Sequence, residues 1–220
     1  MSGILEEYKT MLQLKRYSSN TRKSYINAFQ NFLAFFSHKK IDDLNKNEIQ
    51  DYLLKQLKNG TSSSFQNLQI NAIKFYYEKV LGRKREIYDQ PRPKKEHKLP
   101  SVLSEEEIIK LFKQVSNIKH KAILYLIYSG GLRLSEVVNL KITDIDSKRN
   151  LILIRESKGK KDRTTLLSQA LLELLRDYYR EYKPENHLFE GQKGGQYSVR
   201  SVQNIFRMAL SKSGIKKHAT

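Results

Sequence analysis

Arg133 stands in the stretch Ser129–Leu140, SGGLRLSEVVNL, where an apolar helix expected over Ala122–Tyr128 runs into two glycines. The glycine pair lets the backbone turn sharply, as at a helix C-terminus. Ser135 is the expected N-cap of a following helix that carries Val137, Val138 and Leu140. A guanidinium does not neutralise, so a tight turn between two apolar segments is a costly place for it. Two arrangements would offset that cost. Arg133 could pair with Glu136 as a structural ion pair, or its paired N–H donors could be held rigidly to grip a phosphate. Further on, Ser157-Lys158-Gly159-Lys160-Lys161-Asp162 sets three lysines in a turn between two short strands, Leu151–Arg155 and Arg163–Leu167. A lysine-rich turn is ordinarily a solvated face.

The charge balance favours an anionic partner. The 220 residues carry 41 Lys and Arg against 23 Asp and Glu, a formal net charge of +18. The excess is spread: 12 basic against 7 acidic residues over 1–82, 7 against 3 over 83–98, and 22 against 13 over 99–220. A single basic tail is therefore excluded, and a polyanion, most economically nucleic acid, is the expected partner. An anionic membrane surface fits less well, because no stretch reads as a strongly basic amphipathic helix. Cysteine is absent, which removes disulfides, thiolate metal sites and thiol nucleophiles. His38, His97, His120 and His187 are scattered without metal-ligand spacing, so no metal is expected. Neither a signal-peptide core nor a membrane span is legible, and a cytoplasmic protein is expected.

The elements that must position these residues follow from periodicity. Helices are expected over 3–15, about 20–37 with Tyr25, Phe29, Phe32, Leu33 and Phe36 as a core stripe, 45–57 behind an Asn45/Glu48 capping box, and from the run Thr61–Ser64 to near Gly82. These make a small bundle over residues 1–82. Residues 83–101 contain Pro91, Pro93 and Pro100 among many charges and read as a basic linker. A second domain over 102–220 opens with a Ser104/Glu107 capping box. It continues through the Arg133 turn and the hairpin to helices at about 168–182 and 198–212. In the last of these Val202, Ile205 and Leu210 should face inward, while Arg200, Arg207 and Lys212 stay in solvent. The fold class is mainly α with a small antiparallel hairpin or sheet in the second domain.

Four helices, a Pro-containing linker, GLRLSEVVNL and a strand–SKGKKDR–strand hairpin, in this order, resemble the tyrosine recombinase (phage integrase) family, nearest its Xer-like and integron or transposon members. The segment Tyr17-Ser18…Thr21…Tyr25…Phe29…Phe32…Phe36 resembles the family's SAM-like core-binding domain. The similarity spans essentially the whole chain. It implies an N-terminal core-binding domain and a breaking–rejoining catalytic domain that grip duplex DNA together. By this resemblance Arg133 is a catalytic arginine on a non-bridging oxygen of the scissile phosphate, and Glu136 orients it. Lys158 is the general acid that protonates the 5′-hydroxyl leaving group, given neighbouring arginines that depress its pKa. Lys160 and Lys161 are rivals for that role. Lys160, Lys161, Arg163, Arg200 and Arg207 are candidate DNA contacts, with an acidic neighbour as the other expected anchor for Arg163.

The implied reaction needs no cofactor. A tyrosine attacks a DNA phosphate, a 3′-phosphotyrosyl link stores the phosphoester energy, and a 5′-hydroxyl reverses it. Four protomers on DNA are expected for a full family member. A His-x-x-Arg block and the later nucleophilic tyrosine are not recognisable here. Tyr178, Tyr179, Tyr182 and Tyr197 precede that block and read as helix packing or surface, and His218 could only begin it. The sequence thus reads as a recombinase chain truncated at its C-terminus, expected to bind DNA without cleaving it. The alternative is a non-catalytic DNA-binding accessory or regulatory protein derived from a recombinase. An RNA-binding helical protein is a third reading, since charge alone does not separate the two nucleic acids.

Overall fold

The computed structural model describes residues 2–84, 90–94, 99, 101–155 and 162–219. They fall into two compact units, Met1–Lys98 and Leu99–Thr220. Lys158, Lys160 and Lys161 lie outside the described residues.

Among the described residues the first unit has four α-helices: α1 (Ser2–Leu14), α2 (Ser19–Phe35), α3 (Lys46–Lys58) and α4 (Ser63–Phe75). The starts follow the expected chemistry. Ser18 accepts from the Thr21 N–H, and Asn45 with Glu48 closes a full capping box. The aromatic stripe is the core: Tyr8 stacks on Phe29 with centroids 4.1 Å apart, and Phe32, Phe36, Tyr52 and Phe75 fill the remainder. In this unit each fully buried tyrosine hydroxyl finds a partner. Tyr8 donates to the Ala72 carbonyl at 3.0 Å, and Gln69 donates to the Tyr52 oxygen at 3.1 Å. Burial pushes the Tyr52 hydroxyl up to about 12, so it stays a neutral hydrogen-bonding group across the working range.

The fourth helix does not run α-helically to Gly82. It passes at Tyr76–Val80 into a π-helical turn. There Tyr77 donates to the Ile41 carbonyl and Tyr76 to the Asp42 carboxylate. From this π-helical segment two adjacent tyrosines both reach the 3₁₀ turn Ile41–Asp43. Part of the basic stretch beyond Gly82 also packs on this unit. Gln90 is buried and donates to the Lys46 carbonyl, while Arg92 spans Asn67 and Asn71, one turn apart on α4.

The second unit contains α5 (Glu105–Phe112), α6 (Ile118–Gly130), α7 (Leu134–Asn139), strands β1 (Ile145–Asp146), β2 (Leu151–Ile154) and β3 (Arg163–Leu166), then α8 (Gln169–Tyr182) and α9 (Val199–Ser213). The Ser104/Glu107 box forms as expected. The strands make one antiparallel sheet in the order β1-β2-β3, with Ile145 opposite Ile152 and Ile154 opposite Arg163. The two-residue strand β1 was not expected, being too short to show a period of two. Ile152 and Ile154 point inward, joining Ala122, Leu126, Val137, Leu171, Tyr178 and Val202 in one core. On α9, Val202 and Ile205 are buried and Leu210, half-buried, packs against the same core, as expected; Ala209 joins them.

Between α8 and α9, Glu190 ties down residues 185–187. Its Oε1 accepts the backbone N–H groups of Asn186, Glu185 and His187, which keeps the carboxyl below its ordinary pKa. His120, near the Tyr197 hydroxyl, is held below the ordinary histidine value by burial and then by the Lys119 charge. In both cases the unfolded chain binds the proton more readily than the fold does. Their stabilisation is complete above the unfolded pKa values and is lost as pH falls through the lowered folded ones. The urea midpoint should therefore drop from pH 7 to pH 5 as histidine titrates, and again below about pH 4.5 as carboxylates do. Glu190→Gln should flatten the second decline in a pH series of urea titrations.

Candidate functional site

α6 ends at Gly130, and Gly131 adopts the left-handed conformation (φ 60°) that turns the chain toward α7. The residue that caps α7 is Arg133, not Ser135, and the helix begins at Leu134. Arginine has no acceptor to offer the free N–H groups of the first turn, so only the reciprocal half of a capping box forms. Glu136, at the third helical position, reaches back to accept the Arg133 backbone N–H on Oε2 at 2.8 Å. The same carboxylate takes the Arg133 guanidinium: Nη1 donates to Oε1 at 2.7 Å. Arg133 is thus held at its backbone and its side-chain head by one group.

A second arginine arrives from the sheet. Arg163 and Thr165 lie two apart on β3 and therefore on one face. Arg163 Nη2 donates to Glu136 Oε2 at 2.8 Å and to the Gly131 carbonyl at 3.2 Å. Thr165 donates to the Gly130 carbonyl at 3.0 Å. The β3 face is what fixes the turn that presents Arg133. The Glu136 side chain is 4% exposed, while those of Arg133 and Arg163 are 54% and 37% exposed. A buried carboxylate clamped between two half-open guanidinium groups is rigid from below and accessible from above. Such a pair of forks suits the oxygens of a phosphate group.

The two readings of Arg133 left open by the sequence are therefore compatible. The ion pair exists, and more than half of the arginine side chain is still open to solvent. Arg163 belongs to this cluster rather than to a separate surface. Arg200 and Arg207 are exposed on α9 and make no hydrogen bond or ion pair among the described residues. Just after β2, Arg155 Nε donates to Asp144 Oδ1 at 2.8 Å, and Asp144 also accepts the Lys141 N–H. This anchor escaped the sequence reading; the only trace of it was the three-residue spacing of Lys141 and Asp144. Among the described residues no cluster of His, Asp or Glu could hold a metal ion, and no helix is long and apolar enough to cross a membrane.

A helical N-terminal unit is thus followed by a helical unit whose three-stranded sheet props a glutamate-seated arginine. The sequence model of the phage integrase family matches residues 101–220, and that of the phage integrase N-terminal SAM-like domain matches residues 4–87. The chain belongs to the phage integrase family. It is 32% identical over 216 residues to the tyrosine recombinase XerA of Pyrococcus horikoshii, covering 98% of this chain and 73% of that protein. Two integrase/recombinase relatives from Sinorhizobium fredii are 37% and 39% identical, over 92% and 77% of this chain; the matches span 66% and 64% of their lengths. Among solved structures, the crystal structure of XerA recombinase aligns with a TM-score of 0.51 at 28% identity, over all of this chain and 79% of that one. A lambda integrase tetramer bound to a Holliday junction aligns with a TM-score of 0.81 over all of this chain and 65% of that one, at 16% identity, a likeness of fold.

Proposed function

We propose that the chain binds duplex DNA and contributes to site-specific recombination through a 3′-phosphotyrosyl mechanism. The observation that carries this reading is the seating of Arg133 on the buried Glu136 carboxylate, with Arg163 on the same carboxylate. Arg133 binds a non-bridging oxygen of the scissile phosphate and stabilises the charge that gathers there as the fifth bond forms. Glu136 positions it, and Arg163 locks the turn and adds a second positive group. Lys158 protonates the departing 5′-oxygen, with Lys160 and Lys161 as the rival donors. The attacking tyrosine oxygen gains the bond to phosphorus that the 5′-oxygen loses, and the reverse attack by a 5′-hydroxyl restores the diester without an external energy source. Four copies assemble on two duplexes. In this reading the nucleophile is not among the tyrosines of residues 1–220, so these residues by themselves bind DNA and leave it uncut.

The decisive experiment is a competition between duplex DNA and structured RNA at matched salt, with binding repeated across a salt series. Preference for the duplex, with affinity falling steeply as salt rises, is the expected result. Equal or stronger binding to the RNA would overturn it.

A further inference from the structure

We infer that a groove beside α8 is a docking site for helix α5 of a second copy of this chain. The groove, about 280 Å³, lies between α8 and residues 142–147. Its floor is apolar, from Ile142, Ile145, Leu175 and Leu188. Its lip is formed by Arg176, Tyr179 and Arg180, which recur at three and four residues along one face of α8. Tyr179 is 47% exposed. Arg176 makes no hydrogen bond or ion pair among the described residues, and Arg180 meets Asp177 in a pair open to solvent. A cleft of this kind calls for an apolar side chain set one helical turn from carboxylates.

Helix α5 presents that pattern. Glu105 and Glu106 are exposed and make no hydrogen bond or ion pair among the described residues, and Ile109 follows them at four and three residues, 48% exposed. Glu107 is not part of this face, since it is turned to Ser104 and Lys217. Residues 105–107 are the longest acidic run in a chain of net charge +18, so the acidic match to an arginine-lipped groove lies within the sequence itself. Lys110 on the same exposed side is a like charge toward the arginines, against the two carboxylates of Glu105 and Glu106. In its own chain α5 packs against α9, and no ion pair joins it to α8 among the described residues. The occupant is therefore a neighbouring copy.

The patch is far smaller than a stable dimer interface, which places the contact at a Kd of about 0.1–1 mM. Copies held side by side on one polyanion would reach that effective concentration. The contact needs no DNA, so its test is separate from that of the DNA reading. Sedimentation equilibrium at several protein concentrations should show weak, salt-sensitive self-association of the 220-residue chain. Arg176→Glu with Arg180→Glu should weaken it at least about tenfold, and Glu105→Lys with Glu106→Lys likewise. An equimolar mixture of the two reversed proteins should recover it, because each then offers a face complementary to the other's. Glu105→Gln with Glu106→Gln, which leaves the helix start uncharged, should also weaken it. A wild-type chain that stays monomeric throughout would overturn the inference. So would a reversed protein that associates like wild type, or a mixture that fails to recover.

Discussion

Arg133→Ala is expected to lower DNA strand cleavage by about 10²–10³-fold, the loss that follows removal of one preorganised donor at a developing oxyanion. The measurement uses a chimera that adds to residues 1–220 the C-terminal segment of a relative, acting on a nicked duplex that traps the covalent product. Duplex affinity should change by less than about threefold, because one phosphate contact among many is lost. That separation is the signature of a residue acting on the reacting phosphate. Arg133 donates to Glu136, and its own backbone N–H is what completes the cap of α7. Alanine keeps that backbone bond, so the fold should survive the substitution. If binding and cleavage fell together, Arg133 would be a structural residue and the cluster a scaffold.

Glu136 carries the opposite expectation. Its carboxylate is nearly inaccessible and serves the α7 start, Arg133 and Arg163 at once. Glu136→Ala should lower stability by about 2 kcal/mol, from the lost hydrogen bonds and helix start, because water can solvate the two half-open arginines left behind. Glu136→Gln keeps an oxygen for the backbone bond but loses the charge, and should cost about 1–2 kcal/mol. Urea titration followed by tyrosine fluorescence suits a chain with thirteen tyrosines and no tryptophan. In the chimera, Glu136→Gln should cut cleavage well beyond what its stability loss explains, while duplex affinity holds or rises with the added net positive charge. Unchanged cleavage in a folded Glu136→Gln protein would remove Glu136 as the residue that positions Arg133.

Much of this molecule is local, and local features are legible in a sequence. The Asn45/Glu48 and Ser104/Glu107 boxes, the Phe29–Phe32–Phe36 stripe and the glycine turn before Arg133 are each set by residues within a few positions of one another. Helical periodicity and capping chemistry act over that distance. So does the Arg133–Glu136 pair, one helical turn apart. What the sequence could not supply is which acidic group Arg163 would meet. Arg163 stands twenty-seven residues beyond Glu136, and only the register of β3 against β2 brings its face to the α6–α7 turn. The choice of Arg133 over Ser135 as the cap is of the same kind. A serine side chain can cap by itself, but a carboxylate already engaged with two arginines holds the start of the helix two residues earlier. The same holds for the π turn at Tyr76–Val80, where contacts to Ile41 and Asp42 outweigh the local preference for an α-helix. Sequence alone determined that Arg133 and Glu136 stand one helical turn apart behind a glycine turn, and which helices carry them. Tertiary structure alone decided that a single buried carboxylate holds two arginines in place, because strand register and long-range burial have no local signal.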